Sequence, residues 1–304
     1  MALIELNKSP VKALLPILLS DKTTNHNIIF ATDAYKDSGF DEKAQITTES
    51  IELLKRRIQP RVSKSIEAQA ARTRTKAEVF TPSWIVNKMN NHCDEEWFGK
   101  TGVFNTELEQ SWKTNKRKVS FGKKKDGWKE YVLSKRIEIT CGEAPYIVSR
   151  YDASTGEIID IENRIGILDR KLRVINENTE NDLDWLEWVK KAYQNVYGYE
   201  FQGDNLLIAR VNLLLTFYEY YKKRFEKAPS KKIITEIADI ISWNIWQMDG
   251  ITGTIPFTKP KKNQMELFDY VMDEGEEEPF EVECKVKDWN DNTLTTYIQI
   301  KEGK

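Results

Sequence analysis

The sequence predicts an α/β fold in which helices wind a parallel sheet. Segments 136–139, 196–201 and 243–248 are short, apolar and rich in branched or aromatic residues, as strands are. Two longer amphipathic segments, 204–224 and 231–241, separate the second of these strands from the third, and a further helix, 182–195, precedes the second. Because parallel strands need a long crossover connection, alternation of strands with helices indicates a doubly wound sheet.

The chain divides into three regions. Residues 1–75 are predicted to be a mostly helical basic region, 76–260 the α/β domain, and 261–304 an acidic linker with a small β tail. The tail is predicted to form a hairpin between Glu281 and Ile300. The helices outside the sheet region are predicted at 10–20, at 44–72 with an interruption at Pro60, and at 83–99, where Ser83 is the expected cap.

The composition is that of an ordinary globular chain. Its 304 residues suffice for one large domain or two modest ones, with 31% charged and 40% hydrophobic residues. No apolar run is long enough to span a bilayer, and the first 20 residues lack a signal-peptide pattern, so we expect a cytoplasmic protein. Three scattered cysteines without CxxC spacing fit reduced thiols, and two histidines argue against a histidine-based metal centre.

A basic segment precedes the sheet region, although the net charge is only −2. Between Lys55 and Lys76 there are eight basic residues against one acid, Glu67. Such a segment can neutralise phosphates of double-stranded DNA, and the alternative is a solvated helix face. A second basic run, 113–129, contains two glycines and is predicted to be a surface loop. The residues predicted to contact DNA are Arg56, Arg57, Arg61, Lys64, Arg72, Arg74 and Lys76.

Polar residues and a glycine turn follow the predicted strands, where a parallel sheet binds a nucleotide-like ligand. Gly142 and Ala144 follow the first strand in a Glu-x-x-x-Gly-x-Ala pattern. Glu200 ends the second strand and Asp249 the third. A glycine turn lets backbone approach the methionine part of S-adenosylmethionine, while the two acids can bind its ribose hydroxyls and adenine amino group. The order therefore predicts a crevice for this cofactor.

Each of these residues also has a simpler interpretation when it is taken alone. Gly142 can mark an ordinary turn, and Glu200 can be a surface or ion-paired acid. Asp249-Gly250 is typical of a hairpin turn, and Phe80-Thr81-Pro82 is typical of the start of a helix, where proline is favoured. The cofactor hypothesis depends on finding them together, in order, at strand ends.

Several segments resemble the amino-type adenine DNA methyltransferases of the type I and related restriction–modification families, more narrowly proteins described as restriction endonuclease subunit M. The resemblance covers about residues 70–255. Ala77–Met89 (AEVFTPSWIVNKM) resembles the family's Phe-Thr-Pro motif, and Glu138–Gly142 resembles its Asp-Pro-Ala-Cys-Gly motif. Tyr197–Glu200 resembles its Gly-x-Glu motif, and Ala209–Leu213 resembles its Ala-Arg-x-Asn-Leu motif. Asn244–Asp249 is similar to its Gly-Asp segment.

This resemblance implies a Rossmann-like methyltransferase sheet, partial or incomplete, within residues 76–260. It implies S-adenosyl-L-methionine as cofactor and double-stranded DNA as substrate. In the family, the Phe-Thr-Pro segment packs over the cofactor, the first acid and the glycine contact it, and the later acids bind ribose and adenine. The cofactor-binding residues that the resemblance assigns are Phe80, Thr81, Pro82, Glu138, Cys141, Gly142, Ala144, Glu200 and Asp249.

The catalytic tetrapeptide of that family does not occur. The 304 residues contain no Asn-Pro-Pro-Tyr/Phe or Asp/Ser-Pro-Pro-Tyr/Phe, so no catalytic residue is predicted. Thr254–Phe257 keeps only Pro-Phe, and Ala144 replaces the family's second glycine. The long separation of Glu138 from Glu200 implies an insertion at about 152–180. Its charged residues are predicted to form an exposed loop or to bind substrate: Arg164, Asp169, Arg170, Lys171 and Arg173.

Two hypotheses from different classes follow. The first is a split enzyme, in which a second protein subunit supplies the catalytic and target-recognition parts. The alternative is a catalytically inactive, methyltransferase-like DNA-binding or specificity accessory. A metal-dependent nuclease has little support, and the remaining alternative is an unrelated α/β protein with coincidental motifs. A half-sheet would leave an edge strand exposed, to be covered by a partner strand or by the chain's own 281–300 hairpin.

Overall fold

The computed structural model describes residues 2–76, 81–123, 126–258 and 282–303. Within them the protein is a mixed α/β structure with ten helices and three small sheets. The helices are α1 (Val11–Leu18), α2 (Thr48–Leu54), α3 (Ile66–Lys76), α4 (Ser83–Phe98), α5 (Gly127–Leu133), α6 (Ile167–Asn178), α7 (Asp182–Gln194), α8 (Gly203–Phe225), α9 (Lys231–Asn244) and α10 (Tyr297–Lys301). The strands are β1 (Asn105–Glu107), β2 (Trp112–Thr114), β3 (Arg136–Glu138), β4 (Val196–Glu200), β5 (Ile245–Gln247), β6 (Lys285–Asp288) and β7 (Thr293–Thr296).

The three predicted strands form one parallel sheet in the order β3-β4-β5. Ile137 lies opposite Tyr197, and Glu200 lies opposite Gln247. The prediction of a parallel three-stranded sheet is therefore confirmed. The strand predicted at 243–248 is shorter, because α9 continues to Asn244 before the chain becomes extended.

The two faces of this sheet are covered by different parts of the chain. Alternate residues of a strand point to opposite faces. Val196 therefore joins the main core with α8, while Tyr197 and Tyr199 pack in a second cluster with Trp246 and the tail residue Val286. The hairpin predicted in the tail is confirmed as antiparallel β6 and β7. It covers a face of the parallel sheet and forms a separate sheet from it.

Helix α8 lies at the centre of the molecule. Its first residue, Gly203, donates its N–H to the carbonyl of Phe30. A Cβ on this glycine would lie 1.9 Å from the carbonyl oxygen of Ile29, so the crossing of the two segments requires glycine. Farther along, the buried guanidinium of Arg210 donates to carbonyls of α1, α9 and β5, which fixes the core helix to both neighbours and to the sheet.

The segment around Ile29 is hydrogen-bonded to the side chain of a β5 residue. The side-chain amide of Gln247 accepts the N–H of Ile29 at 2.9 Å and donates to the carbonyl of Ile29 at 2.9 Å. Arg210 Nε donates to the carbonyl of Ile245 at 2.7 Å. The carbonyl of Gln247 accepts the Cys284 thiol at 3.4 Å, so the main-chain carbonyls at both ends of β5 have donors from the same chain.

The basic N-terminal segment is two helices, one on each side of the interruption predicted at Pro60, and both are shorter than the predicted helical range of 44–72. A capping box between Thr47 and Ser50 starts α2. The helix ends at Leu54 because Lys55 adopts a positive φ of 50°, and the predicted interruption at Pro60 falls within the irregular connection to α3.

The predicted insertion at 152–180 contains helix α6, and the expectation of an exposed charged loop is wrong there. Asp169, Arg170 and Lys171 are all buried where α6 packs against α5 and α7. Arg170 pairs with Asp94, and Lys171 donates to the carbonyl of Asn195 at 3.2 Å. Such burial is tolerated because each charge has hydrogen-bonding partners. Burial also lowers the pKa of Lys171 well below its usual value.

Helix α4 begins at Ser83, but the serine hydroxyl does not cap it as expected. The carboxylate of Asp152 accepts the Ser83 N–H at 2.7 Å instead. Among the helices of the described ranges, none combines the length and the apolar character needed to cross a membrane.

Candidate functional site

The ends of the three parallel strands meet at one edge of the sheet. The N–H of Cys141, in the turn after β3, donates to the carbonyl of Tyr199 at 2.8 Å. The N–H of Met248, just after β5, donates to the carbonyl of Glu200 at 3.1 Å. The predicted cofactor residues that follow these strands therefore lie close together, as carboxyl ends of parallel strands do.

The turn after β3 is unusually rich in left-handed backbone. Thr140, Gly142 and Ala144 have φ values of 46°, 54° and 63°. Only glycine adopts this conformation without strain, so Ala144 holds a glycine-like conformation at the position where the resembled family has its second glycine. Ala144 is buried, and its methyl group packs in the main core.

Glu200 connects the second strand to this turn. Its Oε2 accepts the N–H of Gly142 at 2.9 Å, and its Oε1 accepts the N–H of Gln202 at 3.1 Å. The residue is buried, so this carboxylate is held in one orientation by two backbone donors. A carboxylate is a hydrogen-bond acceptor of the kind that can bind the hydroxyl groups of a ligand.

Glu138 lies beneath the same turn. Its carboxylate accepts the N–H groups of Tyr146 at 3.4 Å and Ile147 at 3.1 Å. Burial raises the pKa of Glu138 to about 8; the two N–H donors oppose this rise, and the neighbouring charge of Glu200 adds to it. Burial also raises the pKa of Cys141 well above its usual value. Near neutral pH, Glu138 is therefore mostly protonated and Cys141 is a neutral thiol.

Asp249 has a local structural role. Its Oδ1 accepts the N–H of Ile251 at 2.8 Å, and its own N–H donates to the carbonyl of Thr254 at 2.8 Å. The side chain thus stabilises the turn that follows β5, as the hairpin-turn interpretation of Asp-Gly expects. A contact of Asp249 with adenine stays a prediction. In the same segment, the ring of Phe257 packs edge-on against Phe201 with centroids 5.5 Å apart.

The Phe-Thr-Pro segment is described only in part. Phe80 lies outside the described residues, while Thr81 and Pro82 are half-buried at the start of α4. Two turns into this helix, Asn90 donates to the carbonyls of Tyr146 and Ile165 at 3.1 and 3.0 Å. The helix that follows the motif is therefore anchored to the segment that follows the glycine turn.

A buried network behind the glycine turn was not predicted as part of the site. The carboxylate of Glu143 accepts the Tyr151 hydroxyl and the Arg61 N–H, both at 2.6 Å. Asn212 donates to that hydroxyl at 3.0 Å and to the Glu143 carbonyl at 3.1 Å. In the sequence, only Asn212 of the Ala-Arg-x-Asn-Leu stretch pointed to this network. Its partners are too distant along the chain to be predicted from residue spacing.

The basic segment lines a groove with a volume of about 690 Å³ between α2 and α3. Its basic lining residues, all from the predicted basic segment, are Lys55, Arg56, Arg57, Lys64 and Arg72. Folding therefore gathers residues from two helices and their connection into one positively charged concave surface. Such a surface suits a phosphate backbone.

Some of the predicted DNA-binding side chains are bonded to other groups of the protein, and others are exposed. Arg72 and Lys64 pair with the buried Asp204, and Arg57 pairs with Asp37 at 2.9 Å. Arg61 donates to the Thr73 hydroxyl at 2.7 Å. The other predicted residues are Arg56 and Arg74, which are exposed, and Lys76, whose side chain lies outside the described part of the chain.

A second, larger cavity lies away from the strand ends. It has a volume of about 1200 Å³ and lies between the start of α4, the β1–β2 hairpin and the loop that contains Asp152. Its lining carries both cations and carboxylates, including Lys113 and Glu157, and the indoles of Trp84 and Trp112. Within the described ranges, no three His, Cys, Asp or Glu side chains are grouped as a metal ion would require.

No protein family, curated protein or solved structure matches this chain. Residue chemistry and geometry therefore carry the functional assignment.

Proposed function

We propose that this chain is the S-adenosylmethionine-binding subunit of a split DNA adenine-N6 methyltransferase of a restriction–modification system. In this proposal β3, β4 and β5 are the first half of a Rossmann-like methyltransferase sheet. The hydrogen bond from the Gly142 N–H to Glu200 Oε2, at 2.9 Å, is the observation that carries it. It joins the glycine turn and the acid that the cofactor needs, from segments far apart in the sequence.

The residues at this edge are chemically suited to the cofactor. The turn at Gly142 offers backbone without a side chain, and Glu200 offers an ionisable carboxylate held in one orientation by two backbone donors. Asp249 would contact the adenine of the cofactor, and the Thr81-Pro82 segment would pack over the cofactor. When bound, S-adenosylmethionine supplies a methyl group activated by its sulfonium. The role of this chain is to bind and orient that cofactor.

The missing tetrapeptide assigns the chemistry of the target base to a second subunit. In the resembled family, an amide and a proline carbonyl accept hydrogen bonds from the adenine amino group, and an aromatic ring stacks on the flipped base. Thr254–Phe257 has a threonine, without a side-chain amide, at the position where the family's tetrapeptide has asparagine. The partner would supply that tetrapeptide and target recognition, while the basic groove of this chain would bind the phosphates of double-stranded DNA.

Cofactor binding can be tested by isothermal titration of the purified chain with S-adenosylmethionine. We expect saturable binding that Glu200→Ala weakens by about tenfold or more, the effect of losing a hydrogen bond to a charged group. Glu200→Gln keeps one acceptor and should lose less. The matched control is Glu187→Ala, an exposed glutamate on α7, which should bind as wild type does. Circular dichroism of each variant separates lost binding from lost folding.

Methyl transfer requires the second subunit. The chain should be co-expressed with the polypeptide encoded by the neighbouring reading frame and assayed for transfer of tritiated methyl groups to unmodified DNA. Transfer by the pair, and by neither polypeptide alone, supports the proposal. If wild-type chain shows no heat with S-adenosylmethionine and the pair transfers no methyl group, the proposal is wrong.

The second candidate is an inactive methyltransferase-like protein that binds DNA as a specificity accessory. Ala144 favours it, because its methyl group stands where the family has a glycine. DNA binding that persists in a chain with no affinity for S-adenosylmethionine would support this function.

A further inference from the structure

No strand of the described residues pairs with the outer edge of β3. Among the strands that the structure describes, β3 pairs only with β4. Ile137 on this strand is 49% exposed, and Ile139, just beyond its end on the same side, is 62% exposed. Parallel sheets are normally buried on both faces, and natural proteins rarely leave a hydrophobic edge strand uncovered. This edge therefore has the properties of a binding surface.

An apolar groove runs beside this edge. It has a volume of about 270 Å³ and lies between β3, the outer face of the sheet and the tail. Its floor is formed by side chains of the sheet and of the tail that pack together in the second core cluster: Tyr197, Trp246, Val286 and Tyr297. Ile300 lies at its margin and is exposed. The groove has room for a few aliphatic side chains next to a strand that can accept another strand.

The rim of this groove is positively charged. Among the described residues, its cations are Lys135, Arg136 and Lys287, and its one carboxylate, Asp288, pairs with Lys135 at 2.7 Å. Lys287 lies over the Trp289 ring, 4.3 Å from its centroid. The excess of cations favours an occupant with carboxylates next to its apolar residues. A second copy of this chain would bring the same cations to the rim, which disfavours it.

We propose that the edge of β3 and this groove bind an extended strand of a partner polypeptide, apolar in its centre and flanked by Asp or Glu. Main-chain hydrogen bonds to β3 would give affinity, and the apolar side chains of the partner would fill the groove beside Ile137. This inference deepens the proposed function, since it names the surface through which the second subunit of a split enzyme joins the sheet.

The test uses a short fluorescein-labelled peptide with the core Val-Thr-Ile-Thr-Val and glutamates at both ends, and the full chain without cofactor. Fluorescence anisotropy should show saturable binding. Ile137→Lys and Ile139→Lys should each weaken it by about tenfold or more, since a charge then enters the apolar contact. Leu183→Lys is the matched control, because Leu183 is 82% exposed on α7, and it should bind as wild type does.

A charge exchange separates recognition from loss of folding. The same core flanked by lysines should bind wild-type chain more weakly than the glutamate-flanked peptide. Lys287→Glu leaves two cations and two carboxylates on the rim, so it should remove this preference by strengthening the binding of the lysine-flanked peptide, which a merely unfolded variant cannot do. If the wild-type chain binds the two peptides equally, or binds neither, the proposal is overturned. A dimer in sedimentation that Ile137→Lys converts to monomer would also overturn it, in favour of a second copy.

The two proposals fail separately. If the glutamate-flanked peptide binds but S-adenosylmethionine does not, the proposed function is wrong and the edge site stands. If the cofactor binds through Glu200 but the peptide does not bind, the edge site is wrong and the cofactor assignment stands.

Discussion

Asp204 joins the basic segment to the central helix α8. It lies in the first turn of α8 and accepts hydrogen bonds from Arg72 at 2.7 Å, Lys64 at 3.3 Å and the Tyr35 hydroxyl at 2.7 Å. Burial alone would raise its pKa, but Lys64 and Arg72 outweigh that effect and hold the pKa of Asp204 well below its usual range. The acid thereby fixes the groove against the element that follows Glu200.

Asp204→Asn should reduce the free energy of unfolding at neutral pH by about 3–5 kcal/mol, because it leaves two buried cations without their counter-charge. The pH dependence has a definite sign. A depressed native pKa stabilises the fold above the unfolded value of about 3.9 and loses this contribution as the pH falls through the native pKa. Urea unfolding between about pH 2 and 7 should therefore show a weaker acid dependence in the variant.

The control for this substitution is Asp160→Asn. Asp160 is exposed, and its side chain caps no helix. This variant should keep the acid dependence of wild type. If both variants lose stability equally, the buried pairing of Asp204 does not contribute as described.

The sequence predicted which residues lie at the ends of strands, but it did not predict which distant residues form ion pairs. Gly142 and Glu200 were found because strand ends can be read locally. Asp204 looks like an ordinary acid in the first turn of a helix, and nothing in its neighbourhood names Arg72 as its partner, because the pair is separated by 132 residues. Pairing of that kind depends on where the fold places α3 relative to the first turn of α8, which the local sequence pattern does not predict.

The basic segment acts as a pair of elements whose connection carries the exposed charges. Arg72 and Lys64 face inward to Asp204, whereas Lys55 and Arg56 lie at the end of α2 on the rim of the groove. Among the described residues, Lys55 and Arg56 make no ion pair, so their charges are available to phosphates. The basic residues therefore do not form a uniform stripe along one helix. They line a groove in which Lys64 and Arg72 are ion-paired and Lys55 and Arg56 form a cationic rim.

Replacing both rim residues, Lys55→Ala with Arg56→Ala, should weaken binding to double-stranded DNA of any sequence. Each lost phosphate contact should lower the slope of log affinity against log salt by about 1. Fluorescence anisotropy with a labelled duplex over a range of salt measures both effects. The double variant Lys231→Ala with Lys232→Ala, at the exposed start of α9, is the control of equal charge. If both double variants lose DNA affinity equally, the effect is one of net charge in general, and DNA binding by the groove is contradicted.

The elements themselves were predictable where their pattern is strong. α7, α8 and α9 and the three parallel strands follow hydrophobic periodicity, and their positions agree with the structure to within a few residues. α6 was missed because Asp169, Arg170 and Lys171 interrupt its apolar pattern. Their burial depends on partners from α4 and on carbonyls after α5 and α7, which only the folded chain brings together.

On the scale of the whole molecule, the tail completes the fold. The N–H of Cys284 donates to the carbonyl of Gly253 at 3.1 Å, and Tyr297 packs against Tyr199 with ring centroids 5.5 Å apart. Trp246 and Met248 lie beneath the same cover. This arrangement gives the tail a structural role that its acidic composition did not predict, since the covering residues lie beyond the acidic run.

Ending the chain after Thr258 should therefore expose the outer face of the sheet. We expect lower stability, stronger binding of a hydrophobic dye, and a red shift of tryptophan emission as Trp246 meets water. A synthetic peptide of residues 282–303 added to the truncated chain should reverse the dye binding and the red shift. If truncation changes neither signal, the tail does not cover this face in solution.

The hydrogen bonds made by β5 also bear on how many partners the sheet can take. The carbonyls of Ile245 and Gln247 already accept donors from Arg210 and Cys284, so an added strand would find its main-chain partners on the β3 side, where the structure describes no paired strand. A sheet with two open edges can propagate from copy to copy into a filament, whereas a sheet with one open edge stops after a single addition. Assembly through this sheet would therefore end at a stoichiometry of one to one and would not lengthen with concentration.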